Sequence, residues 1–462
     1  MNPLANEGFL SKLTGKKKKE TDNKGLGIIQ AYLVGTNYSV RIVAEACSCC
    51  WDKKTPEDYE GLSDYVARRG RTGHTSIIEH SNHIILLSIS NGYKDELISF
   101  LSNVHYLNFN TFEDTENDVT WLLIGGSYRG YSDIYRNIDD LSNPVLQAIT
   151  GNLYTYAPSC MFEDIITLGI LQKDNFNDAE PDSNFKPLSE ELNIYECDDF
   201  KVLSADTMWK LFDNIAEVSK FVAGKITRYD LMKYLEVTIL FKNMSRVITQ
   251  QLCRHRNAIT QESQRYVDYS KASFNDPCLF KPGRYDPDHK YNIRFGPSGN
   301  MPMTLEEIGE AIIGIYNQLH NPTITGKEFA LMQEDARAFL PGNAQCRKIY
   351  ITFTYKSLLK FLNLREDKAA QAEIRKYATE IGDWFRNFVG FDKETCDKYT
   401  LPRIMVEEEK MFSDVVSENE TTEEITEEDY IKAMTTIEEV NMKSVTTEND
   451  NVNMSKGDNQ NV

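Results

Sequence analysis

LEVTILFKNMSRVITQQLCRHRNAITQESQRY, residues 235–266, is the stretch on which the reading of this chain turns. Its first half is rich in β-branched and apolar residues, which predicts a strand. The run is expected to turn at Lys242–Asn243 into an amphipathic helix. That helix ends on three basic side chains in a row, Arg254, His255 and Arg256. A polar run from Thr260 to Gln264 follows, and then Arg265-Tyr266. Guanidinium is a permanent cation with a planar fork of donors that suits phosphate oxygens. Two arginines two residues apart on a helix point to different sides. They can serve two ligands, or one ligand and a packing role. A solvated helix end is the plainer reading, because arginine also suits the negative end of the helix dipole. The neutral donors of Gln261, Ser263 and Gln264, followed by Arg265, favour a loop that wraps a phosphate and a pyrimidine edge.

The acidity of the chain is local. Net charge is −19 over 462 residues, but residues 406–462 hold 16 acidic side chains against 4 lysines, which is −12 and leaves −7 for the rest. Nucleic-acid binding through net charge is therefore not indicated. Residues 406–462 read as a disordered acidic tail, and residues 1–25, with Lys16 to Lys19, as a disordered basic arm. Apolar content of 41% with 11% aromatics is enough for a real core. Nine cysteines are scattered, with only Cys47, Cys49 and Cys50 close together and no zinc-type pairs. That pattern predicts reduced thiols in a cytoplasmic protein. The chain has no apolar run long enough to cross a membrane and no secretory leader at its start, so a soluble protein is expected.

Outward from the opening stretch, GIIQAYLVG at 27–35 reads as a strand and SVRIVAEACSCCW at 39–51 as a helix. Residues 83–90 read as a buried strand. SADTMWKLFDNIAEVSKFVAG at 204–224 reads as a helix capped by Ser204 or Asp206 and ended at Gly224. Thr304 and Glu307 form a capping box. Residues 355–385 read as a long helical region broken near Arg365. VTWLLIGGSYRGYSDIYRNI at 119–138 reads as strand, glycine turn and helix.

RHR followed by six residues and then Ser263 resembles the signature of the flavin-dependent thymidylate synthases, usually RHR, seven residues, then Ser. Four more blocks resemble that family in the same order. They are GHTSIIEHS at 73–81, NMSRVITQQLCRHR at 243–256, EDARAFLP at 334–341 and SLLKFLNLREDKAAQAEIRKYA at 357–378. The departures are the shortened spacer, which lets the loop's acidic position fall on Gln261 or Glu262, and four altered flavin positions. There the family often has Asn, Arg, Asn and His, and this chain has Thr354, Lys356, Lys360 and Ala369.

The resemblance implies an α+β fold, a curved antiparallel sheet flanked by helices. It implies a discontinuous catalytic core at 26–90 and 236–405, with a large mixed α/β insertion at 91–235. It implies reductive methylation of dUMP to dTMP, with methylenetetrahydrofolate as carbon donor and NADPH as reductant through FAD. Substrate contacts would fall on Gln251, Arg254, Ser263, Gln264, Arg265, Arg337 and Arg365, with Arg365 and Ser263 closest to the chemistry. Flavin contacts would fall on His74, Ser76, Arg254, His255, Arg256, Gln261, Glu262, Thr354 and Lys356. A homotetramer with shared active sites is implied too. The altered positions also fit a flavin-less nucleotide- or RNA-binding protein of the same fold. Cys253 reads as a core residue of its helix. His74, Glu79, His80 and His255 match no metal-ligand spacing, and no metal is expected. His80 reads as a buried histidine that closes its turn, with Glu79 as a candidate partner.

Overall fold

Two antiparallel sheets and the helices packed on them make up the fold of this computed structural model. The structure describes residues 30–36, 40–50, 54–71, 75–136, 148–149, 152, 188–189, 193–269, 286, 288–294, 299–340, 342 and 344–406. The expected basic arm, nearly all of the acidic tail and His74 lie outside the described residues.

The first sheet has the order β1-β2-β4-β3, from β1 (Gln30–Thr36), β2 (His83–Ser90), β3 (Leu107–Asp114) and β4 (Val119–Gly126). Strand β2 is apolar on both sides, from Ile84 to Leu87 and again at Ile89, because both of its faces are covered. Ile84 and Leu86 enter one core, whereas Ile85, Leu87 and Ile89 enter another. The second core is closed by α1 (Val40–Cys49), α2 (Tyr59–Arg71), α3 (Lys94–Leu101) and α4 (Tyr128–Arg136).

The second sheet has the order β5-β6-β7-β11-β8. Its strands are β5 (Tyr195–Glu196), β6 (Phe200–Ala205), β7 (Glu236–Ser245), β8 (Ala258–Gln261) and β11 (Gln345–Thr354). Strands β9 (Tyr291–Arg294) and β10 (Asn300–Met303) form a separate hairpin. The larger core lies between the two sheets and α5 (Met208–Val218), α6 (Arg246–Cys253), α8 (Tyr355–Arg365) and α9 (Ala372–Val389). Helix α7 (Leu305–His320) begins on Thr304 and Glu307, which make the expected reciprocal capping box. Strands from 91–235 are built into both sheets: β3 and β4 extend from β2, and β6 lies against β7.

Two local expectations are corrected. The chain does not leave its strand at Lys242–Asn243. Asn243 is left-handed, with φ 53°, but pairing with β11 resumes at Met244 and Ser245. The helix starts only at Arg246, capped by Ser245. A long-range partner strand thus overrides a local turn signal. Likewise, neither Ser204 nor Asp206 caps α5. Ser204 belongs to β6, and Asp206 accepts the Glu236 amide at 2.8 Å, which leaves Thr207 in the cap position. Among the described residues, no helix is long and apolar enough to cross a membrane.

Candidate active site

Helix α6, strand β8 and the loop after it carry the basic stretch. Helix α6 stops at Cys253, so Arg254 and Arg256 diverge through a turn rather than through helical spacing. Arg256 has φ 54°, an uncommon value for a bulky side chain, and it redirects the chain from α6 into β8. Arg254 and Arg256 are both exposed. So is Cys253, which corrects its expected place in the core. Burial of its surroundings raises that thiol's pKa.

Arg365, at the end of α8, reaches back to this turn. Its Nε donates to His255 Nε2 at 3.1 Å, and its Nη1 donates to Gln251 Oε1 at 3.3 Å. The His255 ring stands edge-on to Phe361, with centroids 5.1 Å apart. Desolvation, reinforced by Arg365 and Lys360, pushes the His255 pKa down to about 4. The imidazole is therefore neutral near pH 7. Because a guanidinium only donates, Nε2 is the acceptor and Nδ1 carries the proton. Burial and then Arg254 lower the Arg365 pKa.

A second group forms around Glu334. Arg265 donates to its carboxylate through Nε at 3.0 Å and Nη2 at 2.7 Å. Arg337 donates to the Glu334 carbonyl at 2.9 Å. Ser263 Oγ accepts the Arg265 amide at 3.2 Å, and the Ser263 amide donates to the Cys50 carbonyl at 3.3 Å. Gln264 is half-buried between them in sequence. No hydrogen bond among the described residues joins this group to the one around Arg365.

The remaining expected positions have other surroundings. Ser76 is exposed at the front of the short helix Thr75–Glu79. Gln261 is half-buried at the end of β8. Glu262 is 1% exposed and accepts from Arg347 Nε at 3.0 Å. Thr354 caps α8 by accepting the Ser357 amide at 3.2 Å. Lys356 donates to the carbonyls of Tyr399 and Leu401 and lies 3.5 Å from the Tyr229 ring centroid. Burial, aided by Lys233, lowers its pKa to about 8. Nine residues separate Lys356 from Arg365, two and a half helical turns, so they sit on opposite sides of α8.

His80 is buried, as its sequence suggested. Its ring bridges Thr352 Oγ1 at 3.0 Å and Thr260 Oγ1 at 2.9 Å, and Thr352 continues to Thr238 at 2.8 Å. This row fastens the Thr75–Glu79 segment to β8 and β11. Glu79 is paired with Arg129 instead of His80. Among the described residues there is no group of three or more side chains that could hold a metal. Two residues that sequence reasoning did not single out also shape the site, Gln371 and Glu373. Gln371 Oε1 accepts from Gln251 Nε2 at 2.7 Å. The Glu373 carboxylate accepts from the Ser245 amide at 2.8 Å and from Ser245 Oγ at 2.6 Å. Both lie in the AQAE run beside Arg365, and a buried acidic residue on a helix was the available signal.

Comparison with known proteins places these residues in context. Residues 210–389 match the family model described as thymidylate synthase complementing protein. A flavin-dependent thymidylate synthase of Thermotoga neapolitana is 36% identical over 106 residues, 23% of this chain and 47% of the relative. One from Nitratidesulfovibrio vulgaris is 32% identical over 148 residues, 32% of this chain and 54% of the relative. The chain thus spans about half the length of these curated relatives. A crystal structure of thymidylate synthase X from Helicobacter pylori with FAD and dUMP aligns with TM-score 0.26 at 16% identity, over 41% of this chain and 84% of that one. Over residues 210–389 and in its ordered motifs, this chain is similar to the flavin-dependent thymidylate synthases.

Proposed function

We propose that the chain is an FAD-dependent thymidylate synthase that methylates dUMP to dTMP. Methylenetetrahydrofolate would supply the carbon and NADPH the reducing equivalents. The observation that carries this reading is the setting of Arg365. Its guanidinium is held by two neutral acceptors, His255 and Gln251, beside Arg254. Among the described residues no carboxylate pairs with it, so its charge can meet an anionic ligand.

The donor set suits a flavin dinucleotide. Arg254 and Arg256 are exposed cations at the start of β8, and His255 lies between them. Diphosphate oxygens need such donors. In this reading Arg254, His255, Arg256, Ser76 and Gln261, with His74, hold FAD. Glu262, Thr354 and Lys356 complete the proposed flavin set, each also serving an internal bond described above, with Lys356 across α8 from Arg365. When bound, reduced FAD supplies the hydride. Arg254, Ser263, Gln264, Arg265 and Arg337 take the dUMP phosphate. Gln251 and Arg365 orient the uracil edge, and Arg365 stabilises negative charge that develops on the ring. Ser263 acts as a phosphate-binding hydroxyl. The catalytic unit is 26–90 with 236–405, mounted on sheets that strands of 91–235 extend.

We also propose a homotetramer with shared sites, in which the Arg265–Arg337 group of one subunit completes the Arg365 group of another. Apolar side chains beside Arg337 support it: Phe329, Met332 and Phe339 are 72%, 69% and 49% exposed. A flavin-less nucleotide-binding protein is the second reading, favoured by the engagement of Lys356 with Tyr399 and Leu401. The visible spectrum of the purified protein, followed by NADPH oxidation with added FAD, tests the choice. Flavin absorption with dUMP-dependent oxidation supports the synthase. Binding of dUMP without flavin uptake at saturating FAD supports the second reading and removes the first.

A further inference from the structure

We propose that Gln371 is a positioning residue for Arg365 and acts through the amide of Gln251. The proposal rests on the nucleotide reading of the site for its ligand, but not for its geometry. Gln371 occupies the position immediately before α9, where Ser, Thr, Asp or Asn is the usual cap. Its side chain makes no cap bond, although its carbonyl accepts the Arg375 amide at 3.0 Å. The side chain turns away from the helix it could cap and accepts from Gln251 Nε2 at 2.7 Å.

That contact anchors the far end of the Gln251 amide, whose oxygen is drawn to Arg365 because a guanidinium only donates. A glutamine amide has one oxygen and one NH₂ group. With NH₂ committed to Gln371, the oxygen faces Arg365 Nη1 at 3.3 Å. Arg365 Nε then meets His255 Nε2 at 3.1 Å. Without Gln371 the amide keeps its oxygen toward Arg365 but loses its far anchor, so the acceptor for Nη1 is no longer held in place. The position of Gln371 is itself well anchored. Two residues later Glu373 grips Ser245, where α6 begins. Arg375 Nη1 donates to the carbonyls of Lys368 at 2.8 Å and Ala370 at 3.3 Å, which clamps the α8–α9 link. A local capping preference is given up here for a bond that orients the site, the pattern expected at functional positions.

The test uses the full chain with Gln371→Ser and Gln371→Leu. Serine is the better cap but cannot reach Gln251, and leucine keeps the bulk without an acceptor. The Ser variant is expected to melt at or above the wild-type temperature. In both variants the calorimetric Kd for dUMP should rise about three- to tenfold, the worth of one neutral hydrogen bond. NMR should find the Arg365 side-chain N–H protons slow to exchange with solvent in the wild type and faster to exchange in the Leu variant. Unchanged dUMP affinity in both variants overturns the proposal. So does a Ser variant that loses stability together with affinity, since that marks a purely structural role. If the wild type does not bind dUMP, the nucleotide reading falls and the Arg365 side-chain exchange decides alone. Faster exchange in the Leu variant then supports Gln371 as the positioning residue, and unchanged exchange overturns it.

Discussion

Arg365 Nε stands 3.1 Å from His255 Nε2, so a cation donates to an imidazole that must stay neutral to accept it. The His255 pKa lies near 4, lowered by desolvation and then by Arg365 and Lys360. An NMR titration of His255 should show its midpoint far below the ordinary histidine value of about 6.5. Arg365→Leu removes both the donor and a cation, and the midpoint should move up toward that value. An unshifted midpoint would disprove the contact.

Arg365→Lys keeps the charge but loses the planar fork that spans His255 and Gln251. A lysine ammonium cannot reproduce two donors held in one plane. The dUMP affinity should fall about tenfold, while the melting temperature stays near that of the wild type. Calorimetry and a thermal scan on the same samples check both halves of this expectation.

Glu373 is 2% exposed and joins the starts of α6 and α9 through Ser245. Glu373→Ala leaves a buried amide and hydroxyl without their acceptor, and should cost about 3 kcal/mol in urea denaturation. Glu373→Gln retains one acceptor oxygen and should cost less than half as much. If Glu373→Ala were as stable as the wild type, the joint would be ornamental.

Three buried groups help to set the acid side of the stability curve. Burial lowers His80 to about 3 and His83 to about 4, and raises Asp206 to about 7. Between pH 6 and 4 the unfolded chain protonates both histidines while the folded chain does not, so their contribution is lost as pH falls. Asp206 has the opposite sign, because its folded form already holds a proton that the unfolded form lacks. The joint contribution of these three is one histidine's worth, a loss of about 1.4 kcal/mol per pH unit, to which His255 adds in the same direction. In Asp206→Asn the offset disappears and the slope should steepen by about 1.4 kcal/mol per unit. Denaturation midpoints at pH 6, 5 and 4 distinguish the two slopes.

Where local pattern and tertiary environment agree, the sequence was readable. The apolar run of β2, the capping box at Thr304 and Glu307, and the break after Arg365 all follow from period and capping. Misreadings arose where a distant partner overrode a local signal. Asn243 looks like a turn, but β11 carries β7 past it to Ser245. Asp206 looks like a helix cap, but the Glu236 amide takes its carboxylate. Within the site, the motifs named Gln251, His255 and Arg365 without showing that they bond to each other. Gln371 was hidden because glutamine beside a helix start is unremarkable until its side chain is seen to leave the helix. Glu334 was hidden because nothing local links it to Arg265, 69 residues away.

The Arg265–Glu334 pair has a consequence for timing. Both side chains are about half exposed, 48% and 44%, so the bond is screened by solvent and readily parted. On the proposed reading of the site, Glu334 is a resident stand-in for an incoming anion. It engages Arg265 through two donors, and on that reading it would yield when a more highly charged group arrives. Glu334→Gln would loosen that parking, so the ligand would meet an arginine that is freer but less well aimed. Faster arrival and poorer orientation would then pull in opposite directions, and the separation of association from dissociation rates would register it where equilibrium affinity alone does not.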